Sequence, residues 1–239
     1  MKNILIYGAN SKISLELLSI MSNDCNRIIL FARNADELKK NLKKYKIKKN
    51  ITIYTCDLLD LKKNLSLISK IKFKINGVFW FAGYTGNANL EFNVVDELKK
   101  NIFVNFLHPI LILNRLTKKI EKNGQSFIVY FTSVAGLRGR SKNIFYGSAK
   151  SASITYLSGL RQKFNDKIKV ITVIPGYMKT KPFKIKTFDF LVSKPRNVAL
   201  RILKAIKQNQ EIVYINSFWR LIMIVVKLIP EKIFKKLKF

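Results

Sequence analysis

The chain has 239 residues, enough to bury one large core and within the size that a single α/β domain reaches. Its 45 lysines and arginines against 14 acidic residues give a formal net charge of +31. Such a charge would ordinarily indicate nucleic acid or an anionic membrane as a partner. The cations are mostly lysines spread along the whole chain, and no basic patch with interleaved aromatic residues stands out. Composition therefore predicts one domain and argues against a nucleic-acid-binding protein.

The cysteines and the hydropathy pattern indicate a compartment. Cys25 and Cys56 are too few and too isolated for a disulfide framework or a metal site. A strand-like segment begins at residue 3, which leaves no room for a charged leader and a signal core. No run of about 18 uninterrupted apolar residues occurs, so a spanning helix is disfavoured. We expect a metal-free cytoplasmic protein.

Short apolar runs rich in Ile, Val and Phe alternate with longer segments of helical period, as in repeated βαβ units. Strands are predicted near residues 4–7, 28–31, 51–55, 78–81, 127–132, 170–174 and 212–214. The clearest helix is predicted over about residues 145–164. The pattern predicts a Rossmann-like doubly wound α/β fold, a parallel sheet of about seven strands with helices on both faces. It would occupy residues 1–217, followed by an amphipathic C-terminal tail at residues 218–239.

The turn after the first strand is a candidate nucleotide site. It comprises Gly8, Ala9, Asn10, Ser11, Lys12, Ile13 and Ser14. A dinucleotide pyrophosphate needs small residues and free N–H groups at the start of a helix. Gly8 and Ala9 meet the first need, but Lys12 and Ser14 stand where glycine-rich turns have glycine. By itself the turn does not distinguish a nucleotide site from an ordinary strand-turn-helix.

The end of the second strand bears on the choice of cofactor. Ala32 and Arg33 lie where NAD-binding proteins place an acid against the adenine ribose. The planar guanidinium of Arg33 instead suits the 2′-phosphate of NADP, although it could also be a solvated strand-end arginine. Asp57 and Leu58 follow the third strand and are candidate adenine contacts, with helix capping as the alternative for Asp57.

Three side chains of complementary chemistry surround the fifth strand and the long helix. Ser133 follows the strand, Tyr146 opens the helix, and Lys150 lies four residues later on the same face. A carbonyl that accepts hydride must be protonated on oxygen, and tyrosine is a weak acid at its ordinary pKa of about 10. A nearby ammonium would lower that pKa, and a serine hydroxyl would hold the substrate oxygen. The constellation predicts carbonyl reduction with Tyr146 as the acid.

The sequence YGSAK at residues 146–150, preceded by FTSVAG at residues 131–136, resembles the active site of the short-chain dehydrogenase/reductase family. The resemblance covers most of the chain and includes the turn at Gly8. It implies that Asn105 is a fourth catalytic residue supporting a water relay to Lys150, which would also hold the nicotinamide ribose. Further cofactor contacts implied by the resemblance are Ala82, Gly83, Pro175, Gly176 and Thr180.

The chain also departs from the family pattern. Lys12 and Ser14 replace glycines, and Phe81 replaces the asparagine before Ala82. These departures leave open a catalytically silent NADP-binding protein that senses or recruits. The segments SVAGLRGR at residues 133–140 and FWR at residues 218–220 resemble a subgroup containing decaprenylphosphoryl-2-keto-pentose reductases. That resemblance implies a keto-sugar carried on a polyprenyl phosphate.

Two more features have competing interpretations. The loop after Gly176 carries four lysines, which suit either an anionic substrate or solvent; they are Lys179, Lys181, Lys184 and Lys186. His108 has no second histidine nearby, so we interpret it as a packed or capping residue.

The C-terminal segment combines apolar and cationic residues. Residues 218–229 are mostly apolar but too short to span a membrane, and lysines alternate with apolar residues beyond Pro230. Such a segment suits the surface of an anionic membrane, which would make the protein peripheral on the inner face of the membrane. The alternative is a helix packed on the core or on a second subunit of a homo-oligomer.

Overall fold

The computed structural model describes residues 2–47, 50–86, 95–179 and 189–237. The strands are β1 (Lys2–Tyr7), β2 (Cys25–Ala32), β3 (Ile51–Thr55), β4 (Gly77–Trp80), β5 (Phe127–Phe131), β6 (Lys169–Pro175), β7 (Tyr177–Met178), β8 (Val192–Ser193) and β9 (Ile212–Ile215). The helices are α1 (Lys12–Met21), α2 (Ala35–Lys44), α3 (Leu61–Ser69), α4 (Val95–Ile102), α5 (His108–Thr117), α6 (Ile144–Phe164), α7 (Pro195–Lys207), α8 (Phe218–Leu228) and α9 (Glu231–Phe234). A π-helical turn at Phe103–Leu107 joins α4 to α5.

Seven strands form one parallel sheet in the order β3-β2-β1-β4-β5-β6-β9. Alternate residues of each central strand enter opposite cores because side chains of a strand point to opposite faces. Ile4 and Ile6 pack towards the helices α1 and α7, whereas Leu5 and Tyr7 pack towards α3, α5 and α6. The doubly wound parallel sheet is therefore confirmed. The short pair β7-β8 has no counterpart among the predicted strands.

The strand order reverses between β1 and β4, where doubly wound sheets bind their ligands beyond the carboxyl ends of the strands. Gly8 follows β1 with a φ angle of +80°, and a β-carbon there would lie 2.5 Å from the backbone nitrogen of Ala82. A side chain at this position would be both strained and obstructed. Gly8 therefore lets the first turn approach the end of β4 at the crevice.

The segment predicted as a tail forms α8 and α9. Trp219 and Met223 on the inner face of α8 are buried in a third core cluster with Val134 and Ile174. Phe234 of α9 is also buried, whereas the outer face of α8 is exposed. Within the described part of the chain, no helix has both the length and the apolarity of a membrane span.

Candidate active site

The loop after β5 positions Ser133 against α6. The hydroxyl of Ser133 accepts a hydrogen bond from the backbone N–H of Ala135 at 3.1 Å and so caps the turn that follows. A β-carbon on Gly147 would lie 2.9 Å from the carbonyl oxygen of Ala135, and one on Gly136 would lie 2.7 Å from the backbone of Lys150. The two glycines therefore allow the loop to lie directly on the start of α6.

Lys150 is almost fully buried beneath this loop, with 3% of its surface exposed. Its Nζ donates to the carbonyl oxygen of Phe131 at 3.1 Å and lies 5.7 Å and 5.8 Å from the ring centroids of Tyr146 and Tyr130. Burial lowers the pKa of Lys150 to about 8. At neutral pH the side chain is still mostly an ammonium, held against a carbonyl dipole and two aromatic rings.

The structure and the sequence indicate opposite shifts in the pKa of Tyr146. Burial raises the pKa of Tyr146, and a hydrogen bond with Ser133 opposes the rise. Desolvation outweighs any depression of this pKa by the ammonium of Lys150, which lies 5.7 Å from the ring centroid. Tyr146 is therefore a protonated donor at neutral pH in this structure.

Asn105 lies in the π-helical turn and holds the loop that follows β4. Its side-chain oxygen accepts from the backbone N–H of Tyr84 at 2.9 Å, and its Nδ2 donates to the carbonyl oxygen of Tyr84 at 2.6 Å. Its own backbone carbonyl accepts from the hydroxyls of Tyr130 at 3.0 Å and Ser153 at 2.9 Å. Local spacing in the sequence does not predict either hydroxyl as a partner of Asn105, and the water relay to Lys150 stays a prediction.

The first turn of α1 follows β1, beside the point where the strand order reverses. Ser11 is the N-cap of α1 and accepts from the backbone N–H of Ser14 at 3.0 Å. The amides of Lys12 and Ile13, in the same first turn, have no acceptor within the helix. Ser14 is fully buried and Lys12 is exposed, so neither side chain that replaces a glycine closes the turn. The backbone donors and the narrow approach at Gly8 fit a pyrophosphate.

Asn10 and Ala9 complete this turn. The amide of Asn10 donates to the carbonyl oxygen of Asn34 at 3.0 Å, which ties the turn to the loop after β2. Ala9 is buried against the core. Arg33 precedes Asn34 in that loop and is exposed, so its guanidinium is accessible to a phosphate.

The structure places Asp57 in the turn before α3, where it is not the helix cap. Its carboxylate accepts from the backbone N–H of Leu59 at 2.9 Å, while Asp60 is the N-cap of α3. Leu58 is buried, and its carbonyl oxygen accepts from Nδ1 of His108 at 2.6 Å. His108 is thus a packed residue that fastens this loop to α5, as its isolation in the sequence indicates.

The remaining candidates lie at the ends of β4 and β6. Ala82 and Gly83 follow β4, and Gly83 faces the side chains of Asn105 and Lys150. Phe81 packs its ring 4.9 Å from that of Phe131, an apolar contact in place of the family's asparagine. Pro175 ends β6 and Gly176 follows it; Thr180, Lys181, Lys184 and Lys186 lie outside the described residues.

A groove of about 700 Å³ runs along the outer side of α6. It is bordered by Phe106, Arg138, Ser151 and Tyr156, and its lining excludes Ser133, Tyr146 and Lys150. It is also lined by Ala135 and Gly147, close neighbours of Ser133 and Tyr146, so the groove adjoins the candidate active site.

Comparison with known proteins decides the family. The sequence model described as short chain dehydrogenase matches residues 2–187. The chain belongs to the short-chain dehydrogenase family. An uncharacterised oxidoreductase of Mycobacterium tuberculosis is 23% identical to this dehydrogenase over 247 residues, covering 98% of this chain and 96% of the relative. The Drosophila melanogaster dehydrogenase/reductase SDR family protein 7-like is 26% identical over 189 residues, covering 75% and 58%.

Solved structures share the fold of this dehydrogenase. A short chain dehydrogenase from Burkholderia cenocepacia in complex with NADP has a TM-score of 0.82 at 15% identity, covering 100% of this chain and 98% of that chain. ElxO with NADP bound has a TM-score of 0.79 at 24% identity, covering 92% and 100%. The family match and the oxidoreductase relative confirm the oxidoreductase class predicted from the sequence.

Proposed function

We propose that this dehydrogenase reduces a ketone with NADPH, using Tyr146, Lys150, Ser133 and Asn105. The observation that carries the proposal is the pairing of half-buried Tyr146 with buried Lys150 on one face of α6, with Ser133 beside the tyrosine. Both groups of the pair are protonated at neutral pH, which suits donation to a developing alkoxide.

Each of these side chains would have a separate role at the substrate carbonyl. NADPH, when bound, would supply the hydride that adds to the carbonyl carbon. Tyr146 would give its phenolic proton to the carbonyl oxygen, and Ser133 would hold that oxygen in line. The ammonium of Lys150 stabilises the tyrosinate that remains. Asn105 keeps the loop after β4 in place through two hydrogen bonds between its side-chain amide and the backbone of Tyr84.

The cofactor would lie across the crevice between β1 and β4. Gly8 and the first-turn amides of α1 would receive the pyrophosphate, and Arg33 would pair with the 2′-phosphate. Gly83, Pro175 and Gly176 follow or end β4 and β6 at their carboxyl ends and would contact the nicotinamide half of the cofactor.

Arg33→Ala is expected to weaken NADPH binding by about ten- to a hundredfold and to leave NADH binding nearly unchanged, because only NADPH carries the 2′-phosphate. Fluorescence titration of both cofactors measures this preference. Lys40→Ala removes an exposed charge from α2 and serves as the control. Equal affinity of the unaltered protein for NADPH and NADH, or equal loss of both in the variant, would contradict the proposal.

The substrate proposed is a keto-sugar linked to a polyprenyl phosphate, handled at the inner face of a membrane. The support is the resemblance of residues 133–140 and 218–220 to the keto-pentose reductase subgroup, together with the cationic C-terminal helices. NADPH oxidation is to be followed with lipid-linked keto-sugars and with soluble ketones and keto-sugars. Binding of NADPH without oxidation of any carbonyl in this panel would favour the silent NADP-binding protein instead.

A further inference from the structure

The outer face of α8 and α9 concentrates exposed apolar side chains. Nearly half of the exposed large apolar residues of the described chain lie in this short segment, with Leu228 reaching 76% exposure. The members of this outer face are Phe218, Leu221, Ile224, Val225, Leu228, Ile233 and Leu237. On α8 these residues recur at helical spacing and so form a continuous stripe.

Positive charge surrounds this outer face. The exposed cations of the segment are Arg220, Lys227, Lys232, Lys235 and Lys236. Glu231, the single acid between residues 218 and 237, is held by Arg138 at 2.6 Å. Two copies meeting through this face would bring like charges together, whereas an anionic bilayer offers opposite charge and an apolar interior. Charge complementarity therefore selects a bilayer as the occupant.

The inner face of α8 is fixed to the rest of the protein. Trp219 packs on Gly176, where a β-carbon would lie 2.0 Å from its ring, and its Nε1 donates to the carbonyl oxygen of Leu191 at 3.1 Å. Trp219 and Met223 share a cluster with Val134, which follows Ser133 directly. Helix α8 therefore contacts both the loop after β5 and the loop after β6.

Arg138 joins α8 and α9 to the loop that carries Ser133. Its guanidinium donates to the carbonyl oxygens of Lys227 at 3.3 Å and Ile229 at 3.2 Å, at the end of α8. It also pairs with Glu231 and lies 4.3 Å from the ring centroid of Phe234, which is buried. One side chain between Ser133 and Tyr146 therefore holds both C-terminal helices.

We infer that the outer face of α8 and α9 docks on an anionic lipid bilayer. We also infer that Arg138 is the positioning residue that fixes this docking surface to the loop that carries Ser133. The inference extends the location given in the proposed function. Docking is measured without substrate, so its failure would leave the reductase proposal standing, and failure of the reductase assay would leave docking intact.

The docking test uses the full-length protein and vesicles of equimolar phosphatidylglycerol and phosphatidylcholine, with pure phosphatidylcholine vesicles for comparison. We expect sedimentation with the anionic vesicles at low salt and release at high salt. The triple variant Leu221→Ser, Val225→Ser, Leu228→Ser should bind at least about tenfold more weakly. Truncation after Ser217 is a poorer test, because it would remove Trp219 and Met223 and expose the core residues Val134 and Ile174 on which they pack.

The double variant Leu111→Ser, Leu200→Ser is the matched control, since both residues are exposed on other helices. It should sediment like the unaltered protein. Docking is overturned if the unaltered protein stays in the supernatant or if the triple variant binds as well as the control. If the unaltered protein is a dimer in gel filtration and the triple variant is a monomer, the face belongs to an interface with a second copy, and docking on the bilayer is overturned too.

The positioning role of Arg138 is tested with Arg138→Ala, and with Arg140→Ala as a charge-matched control in the same loop. We expect faster amide hydrogen exchange in α8 and α9, at least a tenfold fall in kcat, and an unchanged dissociation constant for NADPH in the first variant only. Arg138→Lys, which keeps the charge but loses the fork, should recover part of the kcat. Equal behaviour of the two alanine variants in both measurements would overturn the role.

Discussion

Tyr146→Phe is expected to lower turnover by about 100- to 10,000-fold, because it removes the proton donor and little else. The side chain is half-buried, and phenylalanine fills nearly the same volume, so folding should persist. NADPH binding should also persist, because the variant keeps the crevice and Lys150. The measurement is the rate of NADPH oxidation on a substrate established with the unaltered protein, together with NADPH titration by fluorescence.

Tyr156→Phe is the control for this experiment. Tyr156 is half-buried on the same helix, packed against the core on the side of α3 and α5. It should retain turnover close to that of the unaltered protein. Near-native turnover in the Tyr146 variant would mean that another group protonates the product, and the proposed mechanism would be wrong.

Lys150→Met is expected to separate stability from activity. Burial holds the pKa of Lys150 at about 8, against an ordinary value of 10.5 in the unfolded chain. That difference corresponds to about 3 kcal/mol of burial cost at neutral pH. Loss of the donor to the Phe131 carbonyl offsets roughly 1–2 kcal/mol of this relief. The variant should be about 1–2 kcal/mol more stable at neutral pH and nearly inactive.

The pH dependence follows from the same pKa. Between pH 8 and 10.5 the unfolded chain binds more protons at this lysine than the folded protein does, so stability from this group rises with pH. Below pH 8 lysine is charged in both states, and the burial cost is fully present. In Lys150→Met this rise should disappear, whereas Lys163→Met, an exposed residue of the same helix, should keep it.

Urea unfolding of the three proteins at neutral pH and at about pH 10 measures both effects. A Lys150→Met variant several kcal/mol less stable than the unaltered protein at neutral pH would show that the buried ammonium is net stabilising. An unchanged pH dependence in that variant would show that another group titrates.

The doubly wound sheet and the local features of the candidate site follow from patterns within short stretches of the sequence. Strands that are buried on both faces must be apolar throughout, so they can be recognised in the sequence as short runs of Ile, Val and Phe. The four-residue spacing of Tyr146 and Lys150 places both on one helical face wherever the helix lies. Gly8 likewise records a local requirement, since its positive φ and its approach to Ala82 exclude a side chain.

The direction of the pKa shift of Tyr146, the partners of Asn105 and the contacts of Arg138 depend on how distant segments pack together. The pKa of Tyr146 depends on how much water its neighbours exclude, which no local pattern records. Arg138 meets Glu231 across 93 residues of sequence, and such a pairing exists only once both helices have packed. The same holds for α8, which is apolar on two faces: packing of Trp219 and Met223 selects the inner face, and the outer one remains exposed.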